Sequence, residues 1–165
     1  MEITIFKDIK ETAQPFYRDA DIILDRVRDG SSKEIIKKIR SEKDKEKINL
    51  LKQQLPAICF KFTKRNDNSL SQHSGLICLD FDGYKTKRDL LQEKEKLAKN
   101  KYVYAVFISP SGNGLKAVIK IPPIPENHKN YFLGLEKHFN SENFDKSCKN
   151  ISRVCYESYD PLIHI

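Results

Sequence analysis

The chain has 165 residues, a length suited to one domain around a single core, and its apolar share of 39% is adequate for a globular fold. Thirty Lys and Arg against 23 Asp and Glu give a formal charge of +7, which favours an anionic partner, nucleic acid foremost, through phosphate neutralisation. No stretch approaches membrane-spanning length, and Met1-Glu-Ile-Thr-Ile-Phe-Lys7 lacks the basic start and apolar run of a secretory signal, so a cytoplasmic protein without a membrane partner is expected.

Residues 2–6 alternate as a short strand. Two helical patterns follow, 19–29 and 31–40, with Ile22, Ile23, Val27 and Ile35, Ile36, Ile39 marking their apolar faces. Gly30 is placed to end the first, and Ser31 or Ser32 to cap the second. A third helix is expected over 42–53; the dense alternating charge of Lys43 to Lys52 reads as a solvated face with i to i+4 pairs, with a nucleic-acid contact as the alternative. Pro56 stops it, a strand runs from Ala57 to Thr63, and a polar loop covers Lys64 to His73. A buried strand then ends in Asp80-Phe-Asp82-Gly83. Beyond it come a helix over 87–99, a strand over 102–108, a Ser/Gly turn, and a strand over 115–121 that pairs with its predecessor as a hairpin. A helix over 126–139 and a short strand over 152–156 complete the pattern. Strands separated by helices around a central hairpin predict an α/β (α+β) fold with a mixed sheet, helices mainly on one face, and active groups on the open face or at strand ends.

Three segments carry chemistry. In Gly75-Leu-Ile-Cys-Leu-Asp80-Phe-Asp82 the strand period turns Asp80 and Asp82 to one face and Phe81 to the other. Two carboxylates so placed can clamp Mg²⁺ or Mn²⁺ for phosphoryl transfer; the same residues would also serve as a strand ending in a polar Asp-Gly turn. Ser109-Pro-Ser111-Gly112-Asn-Gly114-Leu-Lys116 combines glycines, which admit a ligand close to the backbone, with hydroxyls and a cation suited to phosphate oxygens. It lacks the order and following helix of a P-loop, and an ordinary Gly/Ser hairpin explains it as well. In Phe144-Asp145 through Ser152-Arg153-Val-Cys-Tyr156, Asp145 could complete a metal site and Arg153 could grip a phosphate through its forked guanidinium, or the two could be a turn cap and a surface ion-pair partner.

The four cysteines, Cys59, Cys78, Cys148 and Cys155, form no C-x-x-C pair and fit reduced thiols; Cys148, Cys155 and His138 have no zinc-ligand spacing. His73 reads as a solvated loop histidine beside the carboxylate strand, and His128, His138 and His164 as surface or helix-packing residues. Tyr102, Tyr104 and Phe107 read as core rather than as a base-stacking platform.

Taken in order, D-x-D, S-x-S-G-x-G-h-K and h-D-x7-R resemble the catalytic domain of archaeo-eukaryotic-type primases and primase-polymerases. The nearer resemblance is to the primase-like N-terminal domain of Bacteroides-type virulence-associated E (VirE, BT4734-like) proteins of mobile elements. Leu55-Pro-Ala-Ile, His73 to Asp82, Ser109 to Lys116 and Ser152 to Pro161 carry it. It spans roughly residues 50–165. The resemblance implies one primase-like domain over 1–165, with a mainly helical part at 1–54 and an RRM-like catalytic core at 55–165, forming the N-terminal piece of a longer protein. It implies catalytic, metal-binding Asp80, Asp82 and Asp145 with Mg²⁺ or Mn²⁺, and nucleotide binding by Ser109, Ser111, Gly112, Gly114, Lys116 and Arg153. Asp160 is the alternative third acid.

The function expected on these grounds is a DNA-dependent nucleotidyltransferase, a primase or primase-polymerase in replication of a mobile element or phage. Its partners would be a single-stranded DNA template, nucleoside triphosphates and a helicase in cis or trans. Many relatives carry a histidine where this chain has Lys116, and lysine cannot act as a neutral imidazole. Two alternatives therefore stand: a catalytically inactive nucleic-acid-binding module of the same fold, and a metal-dependent nuclease using the same acids.

Overall fold

In the computed structural model, residues 1–59, 68 and 72–165 are described. The elements in chain order are β1 (Glu2–Phe6), β2 (Phe16–Asp19), α1 (Ala20–Asp29), α2 (Lys33–Ser41), α3 (Lys45–Lys52), β3 (Ala57–Cys59), β4 (Leu76–Phe81), α4 (Lys87–Ala98), β5 (Val103–Ile108), β6 (Leu115–Lys120), α5 (His128–Phe139) and β7 (Cys155–Tyr156). The expected continuation of β3 to Thr63 and most of the Lys64–His73 loop lie outside the described residues. No helix among the described residues is long and apolar enough to cross a membrane.

Helix ends follow local chemistry. The Asp19 carboxylate accepts the Asp21 N–H at the start of α1, and Gly30 closes that helix. Asp44 caps α3, and Thr86 and Asp89 form a reciprocal capping box on α4. Ser32 occupies the N-cap position of α2, but its hydroxyl is given instead to the buried Glu157 carboxylate, which Arg26 also holds at 2.7 Å. A buried charge recruits every donor within reach, and here that outweighs a cap.

The fold is α+β, as expected, but its strands divide between two sheets, and every strand pairing among the described residues is antiparallel rather than mixed. One sheet has the order β2-β1-β3-β7 and the other β4-β6-β5. β2 carries no alternation legible in the sequence because it is joined to β1 through backbone while Phe16, Tyr17 and Arg18 lie exposed.

Both faces of the three-stranded sheet are covered. On one, Phe81 meets Phe139 and Phe144 edge to face, within a core that includes Leu79, Leu90 and Phe132. On the other, Leu76, Cys78 and Val118 face Ile3, Ala20, Ile23 and Ile58 across a small apolar gap of about 50 Å³, so α1 and the four-stranded sheet close that side. Asp80 shares the Leu76–Cys78 face by strand period, two residues nearer the strand end. It emerges where apolar packing stops.

Candidate active site

Asp80 leaves β4 directly opposite Lys116 of β6, and their side chains meet at 2.6 Å, Nζ to Oδ1. Lys116 is nearly enclosed, with 8% of its side chain exposed against 16% for Asp80. Burial alone would lower the lysine's pKa, yet the adjoining carboxylate overrides this and holds it above the ordinary range. The ammonium is therefore fixed as a cation against Asp80.

Asp145 reaches Asp80 through the backbone. Phe144 forms an isolated bridge with Phe81, the Asp145 N–H donates to the Asp80 carbonyl at 2.8 Å, and the Asp82 N–H donates to the Asn143 carbonyl at 2.8 Å. The 143–145 segment thus adds itself to the open edge of β4. This lays the third acid beside the first, although 65 positions separate them in sequence. Cys148 closes the cluster: its thiol lies 3.0 Å from Asp145 Oδ2 and 3.6 Å from Asp80 Oδ2. Burial, then the Asp80 charge, push the Cys148 thiol well up, so it is a neutral donor. Asp145 is held low: burial would raise it, but the Cys148 thiol, the Ser147 N–H and Arg153 together outweigh burial. Arg153 Nη2 stands 3.8 Å from Asp145 Oδ2.

One potential ligand atom each from Asp80, Asp145 and Cys148 lie within 4.8 Å of one another, close enough to surround one cation. Asp82 is outside that group, though partial burial followed by the charges of Asp80 and Asp145 raises its pKa. Its carboxylate rests against Gly114. A Cβ there would overlap Asp82 Oδ1 and lie 2.9 Å from the Phe81 carbonyl oxygen, so the close approach of loop and acid requires a glycine. Gly112 has φ 81°, and the flank of Arg40 packs against it.

Asp80, Asp82, Ser109, Ser111, Lys116 and Arg153 all line one cleft of about 600 Å³. The Ser109 hydroxyl is buried and has no hydrogen-bond partner among the described residues. Asp160 is elsewhere: it is buried against Lys94 at 2.6 Å and accepts the N–H groups of Ile108 and Leu162. These three contacts belong to the scaffold. Cys155 likewise pairs with Cys78 in the interior rather than with Cys148, and His138 meets Asn100 and Tyr102.

His73 is buried rather than solvated; it accepts the Gly75 N–H on Nδ1 and meets His128 Nδ1 through Nε2 at 3.0 Å. An Nδ1 already accepting leaves Nε2 as the donor of that pair. Burial depresses its pKa and keeps it neutral.

Three residues at the site were not among the expected site residues. Cys148 joins the acids, Lys52 projects from the end of α3 into the cleft, and Arg40 of α2 donates to the carbonyls of Ser109 and Tyr159 at 3.2 and 2.9 Å. A cysteine three residues after an acid gives a faint signal for the first. Nothing local marks the other two.

No curated protein and no solved structure matches the chain. Residues 50–164, from the last turns of α3 through every acid of the cleft, match the BT4734-like N-terminal domain, and the chain belongs to that family.

Proposed function

We propose that the chain is a nucleotidyltransferase of the primase or primase-polymerase kind, extending a primer on single-stranded DNA from nucleoside triphosphates, with a helicase in cis or trans supplying the template. The observation that carries the reading is the cleft itself, which gathers the carboxylates of Asp80 and Asp82, the hydroxyls of Ser109 and Ser111 and the cations Lys52, Lys116 and Arg153 around one space. This is the division of labour that phosphoryl transfer requires, since its catalysis is positioning and charge stabilisation.

The donor set fits a divalent ion, with Asp80 and Asp145 as hard oxygen ligands, Asp82 close by, and Cys148 as a sulfur neighbour. When bound, Mg²⁺ or Mn²⁺ lowers the pKa of an attacking hydroxyl and neutralises charge on departing pyrophosphate. The protein's own groups do the rest. Ser109, with its unpartnered hydroxyl, and Ser111 offer hydrogen bonds to phosphate oxygens, and Arg153 offers a two-pronged contact. Gly114 lets Asp82 and the loop share the same space.

One observation favours the second reading, a binding module without turnover. Lys116 already neutralises Asp80, where a neutral imidazole would leave the acid free. Primer synthesis on single-stranded DNA with Mn²⁺ or Mg²⁺ decides between them. Activity that disappears in Asp80→Ala and Asp82→Ala supports the transferase. Binding of DNA without metal dependence or synthesis supports the module, and strand cleavage without nucleotides overturns both in favour of a nuclease.

A further inference from the structure

Among the cations of the cleft, Lys116 is spent on Asp80 and Arg153 lies 3.8 Å from Asp145. Lys52 differs. It sits in the last turn of α3 and lines the cleft, yet it makes no ion pair or side-chain hydrogen bond among the described residues. We infer that Lys52, uncommitted among the described residues, binds the anionic end of the ligand, a polyphosphate, together with the Ser109 hydroxyl. The inference deepens the nucleotidyltransferase reading and rests on it for the ligand's identity.

The placement is built rather than incidental. α3 is anchored through Ile48 and Leu51, which pack on Ile36, Ile39 and Leu55 of the α2–α3 cluster, and this directs Lys52 inward. Burial, then repulsion from Lys116, lower its pKa, while Asp82 and Asp80 oppose that effect without contacting it. A half-buried ammonium with no partner carries an unpaid desolvation cost, and an incoming anion relieves it. The buried Ser109 hydroxyl on the same cleft also lacks a partner among the described residues, so two groups of matching chemistry stand open to one space. Lys47, in the first turn of the same helix, is exposed instead.

The test is calorimetric titration of the 165-residue chain with inorganic tripolyphosphate, and separately with dATP and Mn²⁺. Lys52→Ala is expected to weaken both by about tenfold or more, the scale of one hydrogen bond to a charged group. Lys52→Arg should stay within about threefold of wild type, since it retains the charge and donors. Lys47→Ala, which alters net charge equally on the same helix, should leave affinity unchanged. Should Lys52→Ala lose its fold by circular dichroism, Lys52→Gln, which keeps the stem, replaces it. Wild-type affinity for tripolyphosphate in the lysine-free variant overturns the inference. The transferase reading survives that outcome if dATP still binds, whereas a wild-type chain that binds neither ligand removes both.

Discussion

Replacing Lys116 by Met isolates the contact on which the chemistry turns. The substitution keeps the volume of the stem and leaves Asp80 facing a sulfur atom in a site where only 16% of its side chain is exposed. Removing one member of a buried pair costs about 3–5 kcal/mol, and because Asp80 retains some solvent the lower end, about 3 kcal/mol, applies. For a chain of this size that is a fall in Tm of roughly 6–12 °C, read by circular dichroism or scanning fluorimetry. The same melt repeated in MnCl₂ carries the functional content. If Asp80 is a metal ligand, Mn²⁺ takes the place of the lost ammonium, and at a hundredfold excess over Kd it restores about 2.7 kcal/mol. Wild type should gain less, since its lysine competes with the ion for the same oxygens. A loss under 1 kcal/mol, or an equal Mn²⁺ response in the two proteins, refutes the argument that ammonium and metal share one position.

Three further outcomes follow from the geometry. Gly114→Ala forces a methyl into the Asp82 carboxylate and toward the Phe81 carbonyl, so metal-dependent primer synthesis should fall at least about tenfold, the usual cost of misplacing one catalytic group, while the circular dichroism spectrum is kept. Arg40→Ala removes the donor that ties Ser109 and Tyr159, costing about 1–3 kcal/mol and raising amide exchange at 109–114 above that of the β5–β6 ladder. The acids should titrate oppositely. Asp82, its pKa raised in the fold, weighs against stability at neutral pH and ceases to do so as pH falls through that raised value. Asp82→Asn should therefore melt above wild type at pH 7, the two curves converging toward about pH 4. Asp145, its pKa lowered, supports the fold above the unfolded carboxylate value and loses that contribution as pH drops through the folded one, so Asp145→Asn should melt below wild type at pH 7.

What could be read in the sequence was what is local. Strand period placed Asp80 and Asp82 on one face, and the hairpin turn set β5 against β6, a pairing whose register puts Lys116 opposite Phe107. The contact of Lys116 with Asp80 needed one step more, the β4–β6 pairing, which no turn specifies. Asp145 stood open between metal ligand and turn cap until the resemblance favoured the first; its physical route is a backbone graft onto β4 that leaves no periodic trace. Arg40 and Lys52 were illegible for a plainer reason. Each sits on an ordinary charged helix, and only the packing of α2 and α3 beside the cleft separates them from the lysines around them. His73 was misjudged because a polar loop suggests solvent, whereas a neutral imidazole that accepts from Gly75 and meets His128 can be buried at little cost.

The charge pattern of the cleft ties these pieces into one argument. Lys116 pairs with Asp80 and Arg153 stands 3.8 Å from Asp145, so two of the three acids are engaged before any ligand enters, while Lys52 lines the same cleft without an ion pair among the described residues. Acids so engaged have little pull on a free divalent ion, and among the described residues of the cleft Lys52 is the cation left for a free polyanion. On the proposed reading, a divalent ion held by Asp80 and Asp145 would displace Lys116 and Arg153, and the cations so released, with Lys52, would take up an anion of comparable charge. Binding of the two would thereby be coupled through the ion pairs, each ligand strengthening the site for the other. Coupling beyond that of the metal–nucleotide complex itself is measurable as a tighter Mn²⁺ response in the presence of tripolyphosphate that shrinks in Lys116→Met, where the competing cation has already been removed.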